Sequence, residues 1–160
     1  MAQAGLVKIG NVVNDTDSHL TWAADMSLMR TQADAFAGGP SALFNEIITN
    51  WGAGTTFGSS THTLAAEDFD ANGRMSWFGA LAWVNYLNAK NYGSYNDWRL
   101  PTTNTGPTSN CSNNNGVFHY GNGCTGSEMG NLFLNLLGEQ AGTAVSVQEG
   151  DTLVQQANFA

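Results

Sequence analysis

The sequence predicts an α+β domain: a short twisted antiparallel sheet on the amino-terminal side, two main helices packed on it, and long polar loops. Three observations predict this class. Short β-rich runs flank a turn signal near the start, two segments carry apolar residues at three- and four-residue spacing, and stretches of Gly, Asn, Ser and Thr separate them. With 160 residues, 42% of them hydrophobic and including five Trp and eight Phe, the chain has enough apolar surface for one folded domain over 1–160.

Leu6-Val7-Lys8-Ile9 and Val12-Val13 read as strands joined by the turn signal Gly10-Asn11, and Thr21-Trp22 continues the β character. Asp25 can cap a helix with Met26, Met29, Ala33 and Phe36 on one face, ended by Gly38-Gly39-Pro40. Ser41 then caps a second helix whose stripe is Leu43, Phe44, Ile47, Ile48 and Trp51, stopped by Gly52-Ala53-Gly54. Residues 52–66 lack periodicity, so an insertion is expected over about 38–66. Ser76 should cap the clearest helix, with Trp77, Ala80, Leu81, Val84 and Leu87 inward. Residues 95–102 read as a strand stopped by Pro101, with Trp98 and Leu100 on one side and Asp97 and Arg99 on the other, which puts Arg99 at a sheet edge. A long polar insertion, 103–126, follows. From Ser127, Met129, Leu132, Phe133 and Leu136 form the other main stripe, closed by Gly138 in a left-handed conformation. Ala144-Val145-Ser146-Val147 is β-like and leads into a polar tail.

Charge excludes several functions. Five Lys and Arg against thirteen Asp and Glu give a net charge of −8, the wrong sign for nucleic acid or anionic lipid, both of which need clustered cations. No run approaches the roughly 20 apolar residues of a membrane span, and Met1 to Gly10 lacks the apolar core of a signal peptide. Ala2-Gln3-Ala4 resembles the small-residue end of a cleaved export signal; an ordinary cytosolic amino terminus is the alternative.

Catalysis finds little support, because His19, His62 and His119 are scattered and neither HExxH nor Gly-x-Ser-x-Gly occurs. Asp68-Phe69-Asp70-Ala71-Asn72-Gly73 has the alternating oxygen donors of a calcium loop, making Asp68, Asp70 and Asn72 candidate Ca²⁺ ligands. The twelfth position, however, is Gly79 instead of a bidentate acid, so an acidic turn leading into a capped helix is the competing reading. Cys111 and Cys124 bracket the polar loop. A disulfide between them would stabilise the fold by about 3 kcal/mol in the chain-entropy picture; two free thiols are the alternative. Zinc is disfavoured, since no CxxC pair is present and only His119 lies nearby.

Phe118, His119 and Tyr120 lie within that loop and are the candidate ligand-binding residues, because aromatic rings stack on sugars or fill protein pockets. The competing reading is that the rings cover the loop's own base. Asp97, Arg99 and Glu128 invite comparison with a charged ligand site, but Arg99 reads better as a structural post tying strand ends to the last helix.

Met75-Ser76-Trp77-Phe78-Gly79-Ala80, then Trp98-Arg99-Leu100-Pro101-Thr102, then Gly126-Ser127-Glu128-Met129-Gly130 form an ordered set that resembles the bacterial Lcl C-terminal-type domain of surface and PEP-CTERM-sorted proteins. Val12-Val13-Asn14-Asp15-Thr16-Asp17 with Leu20-Thr21-Trp22 resembles that family's opening strands, so the likeness spans roughly 6–138. Arg99-Leu100-Pro101-Thr102 is also similar to a motif of the formylglycine-generating-enzyme superfamily, which implies a C-type-lectin-like fold; Trp98, Arg99, Pro101, Ser127 and Glu128 read as structural residues. The catalytic cysteines of that superfamily lie elsewhere, and its activity is not carried over. Relatives continue into strands around Tyr-Trp-Ser-Gly-Thr-Glu, so carboxy-terminal strands are expected to be missing here. The resemblance implies a secreted or cell-surface bacterial protein. The expected function is a non-catalytic recognition or adhesion module that binds a glycan, matrix polymer or surface protein through its loops. The alternative is a self-assembling subunit of an extracellular filament or sheath, in which copies complete one another by β-strand addition.

Overall fold

A computed structural model describes residues 5–52, 56–57 and 60–138. The chain is α+β, with a small antiparallel sheet and four helices among those residues. In chain order the elements are β1 (Leu6–Ile9), β2 (Val12–Asp15), β3 (Leu20–Ala23), α1 (Leu28–Ala35), α2 (Gly39–Trp51), β4 (Thr56–Phe57), β5 (Ser60–Thr61), α3 (Trp77–Ala89), β6 (Asn113–Asn114), β7 (His119–Tyr120) and α4 (Glu128–Gly130). Helix α4 runs straight into a wider π-type segment, Asn131–Leu136. The β-like run Ala144-Val145-Ser146-Val147 lies outside the described residues. The described residues fall into two compact units, one built from the chain up to Ala24 and from Pro101 onward, the other from Asp25–Leu100.

In the first unit the sheet is a meander in the order β1-β2-β3, with Lys8 opposite Val13 and Val13 opposite Trp22. As the central strand, β2 is the most buried: Val12 and Val13 are almost fully covered. Val13 packs in a core with Ala24, Leu132 and Leu137, flanked by Leu6, Trp22 and Leu136. Asp15 is also buried, and its carboxylate accepts from the backbone N–H of Asp17 and Ser18 and from the Ser18 hydroxyl, which fixes the β2–β3 turn.

The helix beginning at Glu128 corrects one expectation. Continuous helical spacing would bury Met129, Leu132, Phe133 and Leu136 together; instead Leu132 and Leu137 are buried and Met129 is half exposed. The cause is in the backbone. The Leu137 N–H donates to the carbonyl of Leu132, a five-residue step, which widens the turn and shifts the inward face by one residue. Gly138 takes the expected left-handed conformation, φ +70°.

In the second unit α1 packs on α2 and α2 on α3. The α2 stripe is as expected, with Leu43 and Ile47 fully buried and Phe44 stacked on Phe69 at 5.2 Å. Its start differs. Gly38 is the N-cap residue and Pro40 sits in the first turn, where a missing N–H is tolerated, so Gly38-Gly39-Pro40 opens α2 and Ser41 is not its cap. Likewise Asp25 accepts from Ser27 N in a turn just ahead of α1, and Met26 points to solvent. Ser76 does cap α3, its hydroxyl accepting from Gly79 N at 3.1 Å. The buried face of α3 is Gly79, Ala82, Val84, Tyr86 and Leu87, whereas Trp77 is half exposed.

Residues 95–102 do not form a strand. Pro101 has no N–H to donate, and at Trp98 a side chain takes the place of a neighbouring strand. The Asn88 carboxamide on α3 accepts from Trp98 N at 2.6 Å and donates to Trp98 O at 2.9 Å. The Trp98 indole donates to Tyr92 O and its ring packs against Tyr92 and Tyr95. Arg99 is therefore not at a sheet edge; it is exposed, and its guanidinium reaches the carbonyl of Leu100. Replacing Asn88 by Ala should lower stability by about 2 kcal/mol, since both backbone groups of Trp98 lose their partner; equilibrium urea unfolding measures it.

Candidate ligand-binding hairpin

The polar stretch 103–126 is organised, although its sequence has no periodicity. Strands β6 and β7 pair antiparallel, Asn113 opposite Tyr120 and Asn114 opposite His119. Ser112 N donates to Asn122 O and Asn115 N to Phe118 O, extending the ladder at both ends. A disulfide joins Cys111 to Cys124 at the foot of this hairpin. Its tip is folded by asparagines: the Asn115 Oδ1 accepts from the N–H of Val117 and Phe118, and the Asn114 Oδ1 from Gly116 N. A backbone bond, His119 N to Thr105 O, ties the hairpin to the preceding segment.

Val117, Phe118 and Tyr120 are exposed to 72%, 54% and 52%, so these rings do not cover the base of their own loop. His119, on the alternate side of the strand, is half-buried. Of the three ligand-binding candidates, Phe118 and Tyr120 thus share a solvent face and His119 points away from it. Sequence reading passed over Val117 and the pairing asparagines; the signal available was Asn-Gly at 115–116 between residues able to pair.

At the base of the hairpin the Ser127 hydroxyl accepts from Asn104 N and donates to Asn104 O. Beside it the Glu128 carboxylate accepts from Thr102 N at 2.7 Å, and Glu128 N donates to Thr102 O. Ser127 and Glu128 therefore serve 102–104 as a neighbouring strand would, next to Pro101. Asn104 also bonds Gly106 N, Thr108 and Gly126 O, closing the hairpin's root.

The candidate calcium ligands lie in the other unit. Asp68 is buried, and its carboxylate meets Ala65 N, the Ser76 hydroxyl and His62 Nε2, the last at 2.9 Å. Asp70, by contrast, is exposed and accepts from the backbone and side chain of Asn72. Among the described residues no group of three or more His, Cys, Asp or Glu is placed to hold a metal ion. Burial raises the Asp68 pKa, but the bonds from Ser76, Ala65 N–H and His62 and the charge of His62 outweigh it and hold the carboxyl below its ordinary value. His62, which sequence reading left as a scattered surface histidine, stacks on Phe78 at 4.1 Å.

No protein-family model matches the chain, no curated protein matches it significantly, and no solved structure does so. Among the described residues no helix is long and apolar enough to cross a membrane.

Proposed function

We propose that this chain is a non-catalytic recognition module of an exported or cell-surface bacterial protein, with a C-type-lectin-like fold of the Lcl C-terminal type, and that it binds its target through the stapled hairpin. The observation that carries the reading is the exposure of Phe118 and Tyr120 on a hairpin closed by the Cys111–Cys124 disulfide. Exposed rings on a braced loop favour binding, because little backbone entropy is left to lose on contact. The disulfide supports an oxidising compartment.

A second reading, self-assembly into a filament, is favoured by β1. Among the described residues it is an edge strand of the sheet, and Val7 and Ile9 on one side of it are exposed to 49% and 58%. Light scattering after size exclusion separates the two. A monomer is expected; large assemblies without ligand, abolished by Val7→Lys with Ile9→Lys, would replace the first reading with the second. On an array of glycans and surface proteins, the Phe118→Ala, Tyr120→Ala protein and the reduced protein are each expected to lose at least about tenfold in binding. Equal binding by the intact and double-variant proteins would remove the hairpin from the function.

A further inference from the structure

We infer that the hairpin face takes a neutral polysaccharide, an inference that rests on the recognition reading above and narrows it to one ligand chemistry. The antiparallel register pairs Asn113 with Tyr120, and the Asn115 N to Phe118 O bond continues it, so Asn115 stands opposite Phe118. Two-residue alternation then places Phe118, Tyr120, Asn113 and Asn115 on one face. All four are exposed. The two rings are separated by about 6.5 Å along the strand, each with a carboxamide beside it.

The Asn115 Oδ1 is occupied by the N–H groups of Val117 and Phe118, which leaves its NH₂ as the group offered outward. Asn113, opposite Tyr120, is exposed, and its carboxamide lies close over Gly121. Rings that present a flat apolar surface next to neutral donors and acceptors match the two sides of a sugar, its C–H face and its hydroxyl rim.

Charge decides between ligand classes. From Thr103 to Gly126 there is no Asp, Glu, Lys or Arg, although the chain as a whole carries −8. A polyanion such as a sulfated or uronic-acid polymer would find no cation on this loop and a repelling field around it. An apolar protein partner would need the tip buried in a pocket, and the carboxamides flanking the rings would then lose their water without a partner. A hydroxyl-rich neutral chain satisfies both rings and amides.

Native-gel affinity electrophoresis of the full chain tests this, with a soluble β-glucan, a mannan and a galactan as neutral probes and alginate and heparin as anionic ones. At least one neutral polymer is expected to retard the protein. That retardation should persist in about 0.5 M salt, where exposed charge interactions are screened. It should weaken at least about tenfold in Phe118→Ala with Tyr120→Ala and survive in Phe118→Trp with Tyr120→Trp. Both double variants change exposed side chains, and equal thermal unfolding of all three proteins verifies folding. Retardation by the anionic polymers alone, or neutral retardation indifferent to the Ala pair, would overturn the inference. Binding only to a protein on the array, lost in the Ala pair, would overturn the neutral-glycan class while leaving the hairpin reading standing. Binding unaffected by the Ala pair in both assays would overturn the two together.

Discussion

Gly130→Ala is expected to lower stability by about 3 kcal/mol or more, and Gly126→Ala by a similar amount, measured by equilibrium denaturation. A Cβ on Gly130 would lie 2.0 Å from the carbonyl oxygen of Cys124, and one on Gly126 would lie 2.0 Å from that of Thr108. Both obstacles are backbone, so no side chain can swing aside; the chain must move. At Gly126 the movement would break its N–H bond to Ser109 O at 2.9 Å and disturb the buried Ser109. At Gly130 it would push the start of α4 away from the stapled loop. The effect of Gly130→Ala runs against helix propensity, which favours Ala over Gly by about 1 kcal/mol at an unobstructed helical position. A stabilised Gly130→Ala protein would show that the close approach of α4 to Cys124 is wrong.

Asp68→Ala is expected to cost about 3 to 4 kcal/mol at neutral pH, because it removes the shared acceptor of the Ala65 N–H, the Ser76 hydroxyl and His62 while leaving those donors partly covered. The pH dependence has a definite sign. The folded pKa lies below the ordinary value of 3.8, so the folded state binds this proton less readily than the unfolded chain. The stability contributed is complete above the ordinary carboxylate range and is lost as pH falls through 3.8 towards the folded pKa. Denaturation series at pH 7 and in stronger acid should therefore show the gap between wild type and Asp68→Ala closing as pH drops. A gap that stays constant would mean that the Asp68 carboxylate is not held by these bonds.

The sheet and the helix positions were legible because each announces itself locally. Val12 and Val13 are β-branched residues after a turn signal, and Ser76 precedes an unbroken apolar run. The inward side of α3 was not legible, since apolar residues surround most of that helix and periodicity cannot choose among Trp77, Ala82 and Tyr86; packing chose. Residues 95–102 misled for a different reason. Their alternation is that of a strand, but the partners of their backbone are Asn88 and Glu128, side chains whose role is invisible until the fold brings them near. The hairpin was half legible: the paired cysteines and exposed rings could be named, while the register that gives the rings a common face with Asn113 and Asn115 could not.

The five-residue step from Leu132 to Leu137 amounts to an insertion written into the last helix. Removing one residue between them would bring Leu137 to four residues from Leu132, so the coil could tighten to its ordinary pitch with everything downstream still in phase. The leucine that now packs with Val13 would stay inward, its N–H still facing the Leu132 carbonyl. The phase of this core is thus carried by chain length as much as by residue type: the wide turn absorbs one extra residue and still delivers Leu137 to the core.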